Sequence, residues 1–246
     1  MKADHFDQQK LLALAAEDVA LGQLAHRRRT LPENAAVEVA TAAERESSAA
    51  VVRAETEVRD LQREVTRLEG DVETVRARVV RDQGLLDSGS VSAKQMTDLQ
   101  HEMQSLARRQ SDLEDHELEL MEQVETAEAA LGEAQRRQET VTAERERAAQ
   151  LRDDALADIA DGTARHEAAR AEAAARIPAD LLALYERIRT QTGGTGAAML
   201  KARQCQGCRI EMNGRELAAV RKADPHEVVR CDNCGRILVR TAESGL

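Results

Sequence analysis

Two long seven-residue repeats, a near absence of aromatic residues and four cysteines gathered into two C-x-x-C pairs predict the fold class. It is mainly α: a long antiparallel coiled-coil helical hairpin with a small C-terminal zinc ribbon of α+β type. The 246 residues include one Phe, one Tyr and no Trp, while 33% are charged. A thick globular core normally needs more aromatic mass, so the apolar residues are expected to line a narrow stripe between long helices. Net charge is −10, and it is unevenly shared. Residues 193–246 hold nine Lys/Arg against six Asp/Glu, residues 177–192 balance, and residues 1–176 therefore carry −13. No stretch of 18 apolar residues occurs, which excludes a helical membrane span. Residues 1–30 are charged and lack a long apolar run, so no signal peptide is expected and the reducing cytoplasm is the expected compartment.

Residues 3–29 have a helical pattern, with Leu11, Leu14, Leu21 and many alanines. Pro32 follows, at a place where proline is tolerated in the first turn of a new helix. From 33 to 82 the repeat is clean. Val51, Val58, Val65, Val72 and Val79 share one position, and Ala54, Leu61, Leu68 and Val75 fall three residues later. The second stripe begins after residue 92. There Leu99, Leu106, Leu113, Leu120, Ala127 and Ala134 repeat by seven, with Met96, Met103, Val124 and Leu131 as companions; Gln110, Glu117 and Gln138 interrupt. Between the stripes lie two glycines and three serines over 84–92, with Ser92 placed to cap the second helix. So short a connection makes the helices antiparallel neighbours. The arms have nearly equal lengths of about 80 residues, roughly 120 Å each at 1.5 Å per residue, which suggests that the N-terminal helix continues the first arm. With the turn centred near Gly89, Val79 is expected opposite Leu99, Val72 opposite Leu106, Val65 opposite Leu113 and Val58 opposite Leu120. A one-heptad slip to Val65 opposite Leu106 is the rival. Leu85, Leu86, Val91 and Met96 at the tip either seal the end of the coil or bind a partner.

Ile177-Pro178 ends the long helix, because a residue before proline avoids the helical region. Ala179 to Arg189 reads as a short amphipathic helix, and Gly193 to Gly196 as a hinge. Asn213 with Glu216 has the pattern of a capped helix start. In the last strand Ile237 and Val239 point one way and Arg236, Leu238 and Arg240 the other. The expected organisation is thus a hairpin over 1–176 (arms about 3–82 and 92–175, tip 84–91), a connecting amphipathic helix over 177–192, and a ribbon over 193–246.

Cys205, Cys208, Cys231 and Cys234 are the only cysteines. Two thiolates spaced by two residues can grip one ion from a single turn, and two such turns complete the tetrahedral sulfur shell of one structural Zn²⁺. About fifty residues build too little core alone, so the metal is expected to hold 193–246 folded and its removal to melt that whole segment. With four thiolates and Zn²⁺ adding −2, the ribbon carries about +1, a weak attraction for polyanions. Arg236 and Arg240 on the final strand and Arg209 beside the first pair are the candidate phosphate contacts. The ribbon has no Phe, Tyr or Trp, and His226 is its only histidine, so base stacking is nearly unavailable.

The chain resembles a bacterial family with a long coiled-coil hairpin followed by a four-cysteine zinc ribbon. The resemblance rests on Leu86-Asp87-Ser88-Gly89, Lys94 and Leu99-Gln100-His101-Glu102-Met103. It rests also on Ile177-Pro178 through Tyr185, on Cys205-Gln206-Gly207-Cys208, and on Cys231-Asp232-Asn233-Cys234-Gly235-Arg236-Ile237-Leu238. The Ala/Arg richness is similar to actinobacterial members. The resemblance implies a non-enzymatic, nucleic-acid-binding or transcription-linked regulatory adaptor that uses its coiled coil as a docking arm. The alternative is a protein–protein scaffold or chaperone, whose acidic coil binds a protein partner and whose zinc is purely structural. An all-thiolate site leaves no position for a reactive water, His101 beside Glu102 cannot share a helix face, and no phosphate-binding loop appears. An enzyme with a small-molecule substrate is therefore not expected.

Overall fold

The computed structural model describes residues 1–246. Its elements are α1 (His5–Arg29), α2 (Pro32–Asp87), α3 (Ala93–Ala175), α4 (Ala179–Thr192), β1 (Ala197–Lys201), β2 (Gln204–Cys205), α5 (Gly214–Lys222) and β3 (Ile237–Val239). No helix is long and apolar enough to cross a membrane. The chain packs as two compact units, one of residues 34–149 and one joining 1–33 to 150–246.

In the first unit α2 and α3 run antiparallel, and the heptad residues Val51, Val58, Leu68, Val72, Leu113, Leu120 and Ala127 are buried between them. The turn includes Gly89, with φ of 63°, near its expected centre, but the first helix does not end at Gly84. Gly84 is accommodated inside α2, at a cost of about 1 kcal/mol relative to alanine, and the helix continues to Asp87. Ser92 caps α3 as expected, with its backbone N–H given to Gln95 Oε1 at 2.9 Å.

The register differs from the expected one by a heptad. Flanking side chains link Arg76 to Glu114 (2.8 Å), Gln62 to Glu128 (3.2 Å) and Arg78 to Glu102. These pairs straddle a seam in which Val72 lies opposite Leu113 and Val65 opposite Leu120; Leu68, Val72, Leu113 and Leu120 form one cluster. The reason lies at the tip. With α2 extended to Asp87, Leu86 becomes the next residue of the repeat after Val79, and both Leu86 and Leu99 are half-buried. Asp82, seven residues after Val75, falls on the companion position of the repeat and is buried.

The second unit is built around α1 and α4. Leu31 packs on Ala155 and Ile159, and a Cβ on Gly162 would touch Leu24 at 3.4 Å, so α1 lies along the last third of α3. Leu11, Leu14, Leu181, Tyr185 and Ile188 form its core, together with Ala197, Ile237 and Val239 from the strands. Asp18 is buried here. Its carboxylate accepts from Arg170 Nε at 2.7 Å and from the Tyr185 hydroxyl. Arg189 Nε lies 2.8 Å away, close enough to pair in charge but not aligned to donate. Burial opposes the Arg170 charge, but Asp18 and Glu186 outweigh it and hold its pKa above the usual value. Burial, and then Asp18, push the Tyr185 hydroxyl well above its ordinary range.

The sheet has order β2-β1-β3, with β1–β2 antiparallel and β1–β3 parallel. Its two faces have separate cores. Ala197, Ile237 and Val239 meet α1 and α4, whereas Ala198, Leu200 and Leu238 meet Met212, Leu217 and Val220 beside the cysteines. The strand alternation expected for β3 is present, but neither side faces solvent: Ile237, Leu238 and Val239 are all buried. The N-terminus joins this base as well, since Ala3 donates to the His226 carbonyl (2.8 Å) and Val228 to that of Met1 (3.1 Å).

The register is open to a direct check. Cysteines placed by Val72→Cys and Leu113→Cys should oxidise to a disulfide in the zinc-loaded protein, and the pair Val72→Cys with Leu106→Cys should not. The reverse outcome on a non-reducing gel would restore the expected register.

Candidate metal centre

The local chain sets up each half of the site in the same way. In the first pair the Arg209 amide donates to the Cys205 carbonyl at 2.7 Å; in the second the Gly235 amide donates to that of Cys231 at 2.8 Å. Both turns need a left-handed residue directly after the second cysteine, with φ of 60° at Arg209 and 71° at Gly235. Glycine takes that conformation freely, whereas a residue with a Cβ pays about 1 kcal/mol or more. Arginine thus occupies a position that backbone geometry would give to glycine. Between the pairs, the expected cap forms: the Asn213 side chain accepts from the amides of Arg215 and Glu216, and Glu216 returns a bond to the Asn213 amide.

The four Sγ atoms lie within 4.8 Å of one another, with Cys205–Cys234 and Cys208–Cys231 each at 3.9 Å. A tetrahedron of 2.3 Å Zn–S bonds has edges of about 3.8 Å, which the two 3.9 Å edges match, so the four sulfurs are placed to close on one zinc ion. Cys205 and Cys231 are buried, Cys208 and Cys234 half-buried. Burial pushes the Cys205 thiol up to about 12 and raises that of Cys231. Burial also acts on Cys234, but the Arg236 amide and side chain, then the neighbouring thiols, outweigh it and bring Cys234 down to about 7. Four such sulfurs become thiolates together only beside a cation, which is what a bound Zn²⁺ supplies. With all four positions filled by sulfur the ion is structural.

The three arginines singled out from the sequence have separate fates. Arg209 is exposed. Arg236 is half-buried, with its Nε donating to the Thr195 carbonyl (3.1 Å) and hydroxyl (3.2 Å). Arg240 does not face outward: it is 9% exposed, and its guanidinium donates to the carbonyls of Ala223, Asp224, Pro225 and Glu227 at 2.8–3.0 Å. These oxygens belong to the loop after α5, which pairs with the N-terminus on one side and turns these carbonyls to the Arg240 guanidinium on the other. An alternating pattern marks which side Arg240 leaves the strand from, but not that a loop lies over that side. Neither Thr195 nor the left-handed turn at Arg209 was signalled by composition or spacing.

Comparison with known proteins gives the following. The family model for a CT398-like coiled coil hairpin domain matches residues 14–193, and that for a C4-type zinc ribbon domain matches residues 204–238. An uncharacterized protein of Mycobacterium tuberculosis is 40% identical over 240 residues, covering 98% of both chains. An uncharacterized protein of Mycobacterium leprae is 33% identical over 157 residues, 62% of this chain and 66% of the relative. A solved structure from Mycobacterium smegmatis superposes with a TM-score of 0.85 at 35% identity, covering 98% of this chain and all of that one. The structure of CT398 from Chlamydia trachomatis, at 18% identity, shares the fold with a TM-score of 0.62 over 96% of this chain and 98% of its own.

Two outcomes follow from this geometry. Because one face of the sheet rests on α1 and α4, removing zinc should not melt all of 193–246. Chelation should abolish amide-exchange protection in the two knuckles and α5 and leave α1 and α4 protected; equal loss in all of them would contradict the two-core arrangement. The arginines should also separate by stability. Arg240→Ala leaves the carbonyls of Ala223 and Glu227 without a partner, removes one of two donors from those of Asp224 and Pro225, and should cost about 2–3 kcal/mol in chemical denaturation, whereas Arg209→Gly relieves the left-handed turn and should cost nothing.

Proposed function

The chain belongs to the CT398-like coiled-coil hairpin family, and from that premise we propose that it is a non-catalytic adaptor whose hairpin tip docks a protein partner. The observation that carries this reading is the incomplete tip. Leu85 is 44% exposed and Met96 41% exposed, although each follows a stripe that could have been closed over it. Just below them Asp82 occupies a seam position, buried, with one carboxylate oxygen lacking any partner. Its other oxygen has only the exposed Arg81 at 3.7 Å, so the buried carboxylate is poorly compensated and costs stability that a leucine at the same position would not. Sites that sacrifice stability in this way are commonly binding sites. An apolar partner surface carrying a basic group would cover Leu85 and Met96 and neutralise Asp82. The zinc base then serves as a folded anchor, not as a reader.

A second reading, nucleic-acid contact through the ribbon, is favoured by one observation: an arginine is kept at position 209 despite its backbone. With Arg240 committed inward and no Phe, Tyr or Trp for stacking, such contact would be to phosphate and strongly salt-dependent.

A photo-crosslinking residue placed at Leu85, and separately at Arg209, distinguishes the two in living cells. The expected outcome is a discrete protein adduct at position 85, reduced by Asp82→Leu, which should itself raise the melting temperature of the hairpin. Adducts to nucleic acid at position 209, with none at 85, would favour the second reading and overturn the first.

A further inference from the structure

One groove remains without a role in any of this. It lies between α1 and the first knuckle and has a volume of about 380 Å³. Its α1 wall is Leu12, Ala16, Val19 and Gly22, residues spaced three and four apart on one helical face. Val19 is 47% exposed there, with nothing packed on it. The facing wall is Met199, Gly207 and Thr195, and Arg236 lies at the edge of the floor. Asp18 also reaches the groove, but its carboxylate is taken up by Arg170 and Tyr185. Gln206 adds a neutral amide.

Arg236 is held in place. Its Nε is spent on the two Thr195 oxygens. Its stem lies across Gly207, where a Cβ would come within 2.8 Å of Arg236 Cδ, so only glycine leaves room for it. Its Nη2 passes beside Gly194, within 3.8 Å of where a Cβ would stand. No carboxylate of the chain pairs with it, although most arginines near it are paired or bonded internally. Part of the guanidinium faces the Cys234 sulfur, but its Nη2, beside Gly194, meets no carboxylate of the chain, and a fixed cation at the edge of a largely apolar groove matches one carboxylate flanked by apolar side chains. A phosphate would call for several converging donors, and here there is one cation.

We propose that this groove binds a segment of a partner protein that lays an apolar side chain on the Val19 face of α1 and sets an Asp or Glu carboxylate against Arg236. The surface is separate from the hairpin tip, so it adds a second contact to the adaptor reading and does not depend on the first.

The test is a random twelve-residue peptide display library panned on the zinc-loaded full chain and counter-selected on Val19→Glu. That substitution sits at an exposed position and puts a like charge in the path of the peptide. The expected pool is enriched in Asp/Glu flanked by Leu, Ile, Met or Phe. Individual peptides should bind at least tenfold more weakly to Val19→Glu and to Arg236→Gln, the latter assayed only after its zinc content is shown to equal that of the unaltered chain. Their amide analogues, Gln for Glu, should lose a similar factor. A pool rich in Lys and Arg, the absence of any pool sensitive to Val19→Glu, or displacement of the peptides by an oligouridylate would each overturn the proposal. Failure of cross-linking at Leu85 would leave it standing, since that tests the tip alone.

Discussion

Asp18 has no contact with solvent, yet it is an anion, and the second packing unit depends on how that anion is compensated. Arg170 reaches it from α3, while Tyr185 and Arg189 reach it from α4. A carboxylate desolvated in this way is tolerable only if all of its partners arrive together. Each partner brings its helix, so the charge fixes where α1, α3 and α4 meet. Apolar contacts alone would not do so: alanine-rich helices slide and rotate past one another at little cost, whereas a buried ion network has one geometry. The strands β1 and β3 then lie on the surface that α1 and α4 make, and the knuckles lie on the strands. The zinc site is thus the outermost layer of a stack whose position is set by a salt bridge.

The stack also explains what could and could not be read in the sequence. The heptads, the hairpin, the capped α5 and the four ligands were legible because each is a local pattern: spacing by seven, a cap with its glutamate three residues on, two C-x-x-C turns. What escaped was set by contacts distant in sequence. Nothing around Gly84 says whether a helix stops there or runs on; the helix runs on to Asp87, and the register, marked by Arg76 with Glu114 and Gln62 with Glu128, is moved by a heptad. Arg240 reads as an outward strand residue until the loop after α5 folds over it. Met1 to Ala3 carry no strand signal, because their partners lie at 226–228.

The arginines show that residue type alone does not give a role. Arg170 and Arg189 balance a buried charge, Arg240 ties down a loop, Arg236 is braced by Thr195 and Gly207, while Arg203 and Arg209 stand exposed in left-handed turns against their own backbone preference. A basic ribbon counted from composition therefore overstates the positive surface it offers. The hairpin errs in the other direction, since Asp82 in its seam makes the tip less stable than the flanking heptads imply. Recognition is consequently better sought where apolar surface is left open than where formal charge is highest.

The wiring of α1 has a consequence for how the chain is made. Asp18 must wait for Tyr185, 167 residues later, and Gln8 for the carbonyl of Pro225, 217 residues later. The hairpin, by contrast, closes through neighbours in sequence and can zip from its tip as soon as α3 emerges. At ribosomal rates of 5–20 residues per second, Leu11, Leu14 and the Asp18 carboxylate stay uncovered for on the order of ten seconds after they are made. During that interval α1 is a lone segment whose Leu11, Leu14 and Asp18 have no partner. On a polysome, an α4 and sheet from an adjacent nascent chain present the same complementary surface, so exchange of α1 between two copies is the misassembly this topology invites.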